Sequence, residues 1–338
     1  MSIPKKSLYL SASRIKTLTS CSWLYHVQYV LGLRSPGNFG SIRGTICHLV
    51  FESLLNPRHK KYYNHIIKHK KVFNNKVLSR YITLLCAKHG LEDSHDNKGQ
   101  HNLEMVEEMI VVGVSTDFFC KGWKLDKAET EIKIETPTYQ LLGYIDKLAE
   151  KDGKMKIMDY KSSAKKDDHS IQAMCYALWA KRVKRMDSIA EFIYLRFPED
   201  SISKYEFSDT QLDGFEQYLE SLYSQISNFS IDSAVSNFAA DQDYPSDGSF
   251  GGPLMCGRAR TPNDLKKDGT PAYRCYYKFP LEYYSAIDEK GHVLGNFLSE
   301  SDAERLAYAH NGKVKPVQYL GCPRWNGGKT GFEEEDIW

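Results

Sequence analysis

The chain has 338 residues, 41% hydrophobic and 26% charged, with 45 basic and 43 acidic side chains for a formal net charge of +2. This is globular composition, long enough for one elaborated domain or a domain plus a module, with core enough to stand without disulfides. No apolar run approaches the ~18 residues of a membrane helix and Met1–Ser7 has no hydrophobic leader, so membrane-spanning and secreted disulfide-rich classes are set aside and a cytoplasmic setting is expected.

Residues 11–33 read as a helical entry, capped by Ser11 or Ser13, with Ile15, Leu18, Trp23, Tyr25 and Val27 as apolar contacts. Gly40 to Leu55 reads as a second helix with Ile46, Leu49, Val50 and Leu54 inward. Residues 53–91 then hold no Asp or Glu but nine basic residues: Arg58, Lys60, Lys61, Lys68, Lys70, Lys71, Lys76, Arg80 and Lys88. Four His and three Tyr are interleaved with them. In a near-neutral chain such a block makes a local positive field suited to a polyanion. Its first six members, Arg58 to Lys71, are the expected DNA contacts; a solvated helix face is the plainer alternative.

A β pattern follows. Glu129–Ile134 alternates polar and apolar residues, and Leu141–Leu148 and Lys154–Tyr160 flank the turn Glu150-Lys151-Asp152-Gly153. A helix is expected from Asp168 to Val183 and a buried strand at Ala190–Phe197, with Ser203–Phe207 as its neighbour. Ser208 to Phe229 is an amphipathic helix, with Leu212, Phe215, Leu219, Leu222, Ile226 and Phe229 at three- and four-residue spacing. The order predicts an α/β core over 1–237, a mixed central sheet flanked by helices, with an N-terminal helical part. Residues 238–256 read as a connector and 257–331 as a small α+β module, with strands near 273–287 and 314–319 and a helix near 301–310. Residues 332–338 form an acidic tail ending in Trp338.

The informative chemistry lies in Gly143-Tyr144-Ile145-Asp146 and Asp159-Tyr160-Lys161. A hairpin joining these strands brings Asp146 and Asp159 together. Two adjacent carboxylates repel unless a cation lies between them, which favours a hard divalent metal. Lys161, two residues after Asp159, shares its strand face and can stabilise a developing oxyanion. The set suits phosphodiester hydrolysis; an exposed hairpin with ordinary charges is the alternative.

Further motifs stand in order with these two: Ser11-Ala12-Ser13-Arg14-Ile15 with Cys21-Ser22-Trp23-Leu24-Tyr25, then Gly44-Thr45-Ile46-Cys47-His48 before them, and Gln172-Ala173-Met174-Cys175-Tyr176 after them. On these five motifs, over roughly residues 8–185, the sequence resembles the RecB-type exonucleases of the PD-(D/E)xK superfamily, which include nuclease domains of recombination helicase–nucleases and CRISPR-associated exonucleases. The resemblance implies a restriction-endonuclease-like fold and Mg2+ or Mn2+ held by His48, Asp146, Asp159 and the Tyr160 carbonyl. It makes Lys161 the catalytic lysine, with Gln172 and Tyr176 facing the site. Glu131 is a lesser acidic candidate, and Glu52 a candidate to orient His48. The implied activity is exonuclease action on single-stranded DNA or DNA ends, in recombination, repair or phage DNA metabolism. A catalytically silent DNA-binding or assembly subunit, a structure-specific endonuclease and an RNA substrate remain alternatives.

Of eight cysteines, Cys47, Cys86, Cys120 and Cys175 lie among apolar residues and read as core. By the resemblance Cys21, Cys256, Cys275 and Cys322 are expected to hold an iron–sulfur cluster, although their spacing is wider than the family's; zinc or free thiols are the alternatives. The tail resembles the acidic, aromatic-tipped peptides with which single-strand-binding proteins dock onto repair and replication enzymes, so a helicase or replication partner is an expectation. A disordered solubilising end is the other reading.

Overall fold

The computed structural model describes residues 8–35, 38–91, 95, 99–241, 256–257, 259–265 and 272–325. The elements run α1 (Ala12–Ser20), α2 (Ser22–Tyr25), α3 (Phe39–Leu55), α4 (Lys60–His69), α5 (Lys76–Lys88), α6 (Asn102–Ser115), β1 (Lys124–Glu135), β2 (Gln140–Lys151), β3 (Lys154–Lys161) and α7 (Ser170–Trp179). There follow β4 (Asp187–Tyr194), β5 (Ile202–Tyr205), α8 (Asp209–Ser227), α9 (Ile231–Ala234), β6 (Leu281–Ile287), β7 (Val293–Phe297), α10 (Glu300–Ala309) and β8 (Lys313–Tyr319). Two compact units arise: Tyr9–Ala12 with Gly37–Tyr223, and Met1–Leu8 with Ser13–Pro36 and Ser224–Trp338.

The unit built on Gly37–Tyr223 carries a mixed five-stranded sheet in the order β1-β2-β3-β4-β5. All neighbours are antiparallel except β3 and β4, which run parallel because α7 crosses between them. The central β3 is buried continuously from Met155 to Tyr160, as a strand covered on both faces requires. Asp152 and Gly153 both take positive φ (48° and 76°), the geometry a two-residue hairpin needs. One face of the sheet packs Ala149, Met158, Tyr160 and Ile193 against Ile46, Val50, Phe51, Met109 and Ile110 of α3 and α6. Asn38 starts α3 with a reciprocal capping box to Ser41. The predicted stripe of α8 is inward: Leu212, Phe215, Leu219, Leu222 and Ile226 are buried.

The mixed α/β sheet flanked by helices is as expected. The strand expected at Ala190–Phe197 runs from Asp187 to Tyr194, because the preceding helix winds into a π-turn at Ala180–Lys184 and stops at Arg185 with φ 58°.

The second unit holds α1, α2, α9 and a three-stranded antiparallel sheet in the order β7-β6-β8. Ala303 and Ala307 of α10 lie against Ala286 of β6. Its second core gathers Trp23, Val27, Leu33, Tyr277, Tyr283 and Tyr319. These rings are tied by polar ends. The Trp23 indole donates to the Tyr319 hydroxyl (2.8 Å), which donates to the Tyr277 carbonyl (2.8 Å), while the Tyr277 hydroxyl donates to the Leu33 carbonyl (2.8 Å). The acidic tail and most of the expected connector lie outside the described residues.

Candidate active site

The β2–β3 ladder pairs Lys151 with Lys154 and ends at Lys147 with Met158. The next pair in register would be Asp146 and Asp159, so antiparallel pairing puts both carboxylates on one face of the sheet. Here the ladder gives way: Asp146 Oδ2 accepts the Tyr160 amide at 2.7 Å. Asp146 Oδ1 lies 3.0 Å from His48 Nδ1, and His48 Nε2 lies 3.2 Å from the Tyr160 carbonyl. Both ring nitrogens are thus engaged by β2 and β3. That corrects the expectation that Glu52 orients the imidazole: Glu52, one turn on, is exposed.

Gly44 explains how α3 comes this close. A Cβ there would stand 2.6 Å from the Ser162 hydroxyl, just past Lys161. Any larger residue would push His48 away from the strand ends.

Asp159 is buried and surrounded. Its Oδ2 lies 2.6 Å from Lys161 Nζ. Its Oδ1 accepts from Gln172 Nε2 (2.8 Å) and lies 2.8 Å from the Tyr176 hydroxyl. Gln172 Oε1 in turn accepts from Lys161 Nζ at 2.8 Å. Residues 172 and 176 meet because they are one turn apart on α7. Burial, and then the neighbouring Asp146 charge, push the Asp159 carboxyl upward; the Lys161 ammonium pulls it back. Burial opposes protonation of His48, but the hydrogen bond and charge of Asp146 outweigh it and raise its pKa.

The structure thus brings together His48, Asp146, Asp159, Tyr160, Lys161, Gln172 and Tyr176. It does not bring Glu131 onto the carboxylate pair: its Oε2 accepts instead from the Tyr144 hydroxyl, 3.1 Å away across the β1–β2 register. Among the described residues no three His, Cys, Asp or Glu side chains are gathered to hold a metal ion as they stand. In the acidic site the donors bond one another and Lys161 instead.

Two residues escaped the sequence reading. Tyr144 shares the face of Asp146 and is 61% exposed, an open ring beside the carboxylates. Lys147 points the other way and is fully buried, its Nζ donating to the Phe118 carbonyl (2.8 Å) and the Tyr160 hydroxyl (3.0 Å). Burial holds its pKa down to about 8. The available signal was the strand period, which sets Tyr144 with Asp146 and Lys147 among apolar neighbours.

The basic segment forms α4, the turn after it and α5. Arg58, Lys60, Lys61, Lys68, Lys70 and Lys71 are all exposed. Lys70 Nζ donates to Ser115 Oγ (2.9 Å) and Lys71 pairs with Glu107 (3.3 Å).

In the other unit, Cys21, Cys256, Cys275 and Cys322 line a single pocket with Trp23, Lys278 and Trp325. Burial, with the neighbouring thiols adding, pushes Cys275 and Cys322 up to about 12. Cys47, Cys86, Cys120 and Cys175 are all buried.

Known proteins resemble part of this chain. It is 24% identical over 222 residues to an ATP-dependent helicase/deoxyribonuclease component of Streptococcus equi subsp. zooepidemicus, covering 62% of this chain and 20% of that protein. The chain therefore spans about a fifth of that relative. A solved structure of a candidate exonuclease from Eubacterium rectale aligns with TM-score 0.42 and 13% identity, over 68% of this chain and 87% of the other. The family model of the PD-(D/E)XK nuclease superfamily matches residues 9–242, more than half of the sequence and every residue of the acidic site, so the chain belongs to that superfamily.

Proposed function

We propose that the protein is a divalent-metal-dependent deoxyribonuclease acting on single-stranded DNA or DNA ends. The observation that carries this reading is the placing of Asp146 and Asp159 one residue beyond the last pair of the β2–β3 ladder, with the Lys161 ammonium 2.6 Å from Asp159. The donor set fits a hard cation: two carboxylates, the Tyr160 carbonyl and the His48 imidazole. These four residues would hold Mg2+ or Mn2+, which supplies charge neutralisation for phosphoryl oxygens and an activated water.

The chain's own residues do the remainder. Lys161 presents a cation to the charge developing on the phosphoryl group, and Gln172 fixes the ammonium through its Oε1. Tyr176 and the Gln172 amide restrain Asp159 from behind. The exposed cations of α4 and the following turn attract the backbone of a single strand. Exonuclease action is the preferred form, and linear against circular single-stranded DNA tests it. Degradation of the linear form alone supports an exonuclease; cutting of both makes the protein an endonuclease.

We further infer that Cys21, Cys256, Cys275 and Cys322 hold one metal group, an iron–sulfur cluster before zinc. Four sulfur donors around one pocket, on buried Cys21, Cys256 and Cys322 and half-buried Cys275, suit either by their chemistry, though they are not drawn together as they stand. Work beside a helicase is supported by the name of the Streptococcus relative alone, and a place in recombination or end processing, or docking through the acidic tail, rests on the sequence reading.

A further inference from the structure

Lys278 sits where the cysteine-bearing segments meet. Its amide donates to the Cys275 carbonyl (3.3 Å), and its own carbonyl accepts the Cys322 amide (3.2 Å). Its ammonium donates to the carbonyls of Gly257 (3.1 Å) and Ala259 (2.5 Å), which follow Cys256. One lysine therefore ties together three segments far apart in sequence. Gly257 permits the approach: its φ is 76°, and a Cβ there would stand 2.6 Å from the Arg274 amide nitrogen.

The side chain is 2% exposed and its ammonium lies 3.8 Å from the centre of the Trp325 ring. Among the described residues no carboxylate forms an ion pair with it. Asp264, the acid that acts on it weakly, is taken up by Arg260 and Thr261. Carbonyls and rings offset only part of the desolvation of a buried ammonium, so a negative counter-charge is expected nearby. What lines the same pocket is four cysteine sulfurs, which carry negative charge when a metal takes them as thiolates.

We propose that Lys278 is the built-in counter-cation of a tetrathiolate metal centre on Cys21, Cys256, Cys275 and Cys322, and that its charge sets how firmly and at what potential that centre is held. The inference rests on the reading that these cysteines bind one metal group. Four thiolates around a metal leave net negative charge, and reduction adds more. A fixed cation beside them favours the loaded form over the empty one and the reduced form over the oxidised one.

The test compares the full chain with Lys278→Met, Lys278→Gln and Lys278→Arg, each reconstituted anaerobically with ferrous iron and sulfide and, separately, with zinc. Folding is followed by circular dichroism; Gln keeps a hydrogen-bond donor without charge and covers a Met variant that does not fold. Iron and sulfide per chain, release to a chelator and reduction potential are measured. The neutral variants are expected to release metal at least ~10-fold faster than the wild type and to be reduced about 10-fold less favourably, about 59 mV lower for one electron. Lys278→Arg is expected to stay near the wild type. Equal release and potential in the wild type and a folded neutral variant overturn the proposal while leaving the metal centre standing. Equal loss in the Arg and neutral variants also overturns it, since shape rather than charge would then matter. A wild type that takes up neither iron nor zinc, and behaves as Cys256→Ser does, removes the metal centre itself.

Discussion

The Tyr160 amide donates to the Asp146 carboxylate at 2.7 Å where the β2–β3 ladder stops. This one bond turns an ordinary hairpin end into a site. It holds Asp146 across from Asp159 and leaves the Tyr160 carbonyl facing His48 rather than a neighbouring strand. The same strand period that sets Asp159 and Lys161 on one face buries the Tyr160 ring on the other, 4.3 Å from Phe51.

Tyr176 is expected to act on the chemistry through Asp159, whose carboxylate its hydroxyl meets at 2.8 Å. Tyr176→Phe removes one hydrogen bond to a buried carboxylate, worth about 1.5–3 kcal/mol. A fall in kcat of roughly 10- to 100-fold is expected, with KM little changed. Steady-state cleavage of a labelled oligonucleotide checks this; a rise in KM at constant kcat would instead assign the residue to binding.

Tyr144 offers its exposed ring beside the carboxylates, with its hydroxyl held by Glu131. Stacking on one base is worth about 1–3 kcal/mol. Tyr144→Ala is expected to raise KM for single strands by roughly 5- to 100-fold, while Tyr144→Phe stays near the wild type. Equal kinetics in all three proteins would show that no base rests there.

The basic face makes an ionic prediction. Replacing Lys60, Lys61 and Lys68 by Ala is expected to lower the slope of log affinity against log salt by about 2, at roughly 0.7 per phosphate contact on single strands. A salt titration of binding measures it, and an unchanged slope places the DNA elsewhere.

His26, buried against Trp23 and Phe229, has its pKa held down to about 4 by burial. The unfolded chain takes up this proton below about pH 6.5, the folded chain only near pH 4. Its contribution is therefore complete above pH 6.5 and lost as the pH falls toward 4, by roughly 3 kcal/mol. His26→Phe is expected to flatten the acid limb of stability in denaturant titrations at pH 7 and pH 4.5. A wild-type-like limb in that variant would assign acid sensitivity to other groups.

Much of this was legible because the signals are local. The hairpin turn, the α8 stripe and the spacing of Asp146, Asp159 and Lys161 are short-range patterns that physics reads directly. Tyr144 and Lys147 were not, although they lie within two residues of Asp146, because their roles depend on partners outside their own strand: Glu131 for one, Phe118 and Tyr160 for the other. β7 was missed because Val293–Phe297 is five residues with a central glycine and has no clean alternation. Lys278 is one lysine between aromatics, and nothing in its neighbours in sequence announces that Cys256 and Cys322 converge on it.

The most direct measurement is digestion of end-labelled linear single-stranded DNA with Mg2+ or Mn2+ by the intact protein and by Lys161→Ala. Loss of a developing-charge stabiliser predicts a rate at least ~100-fold lower in the variant with DNA binding retained. Equal cleavage by both proteins, or none by either with binding intact, would contradict the assignment of this site to phosphodiester hydrolysis.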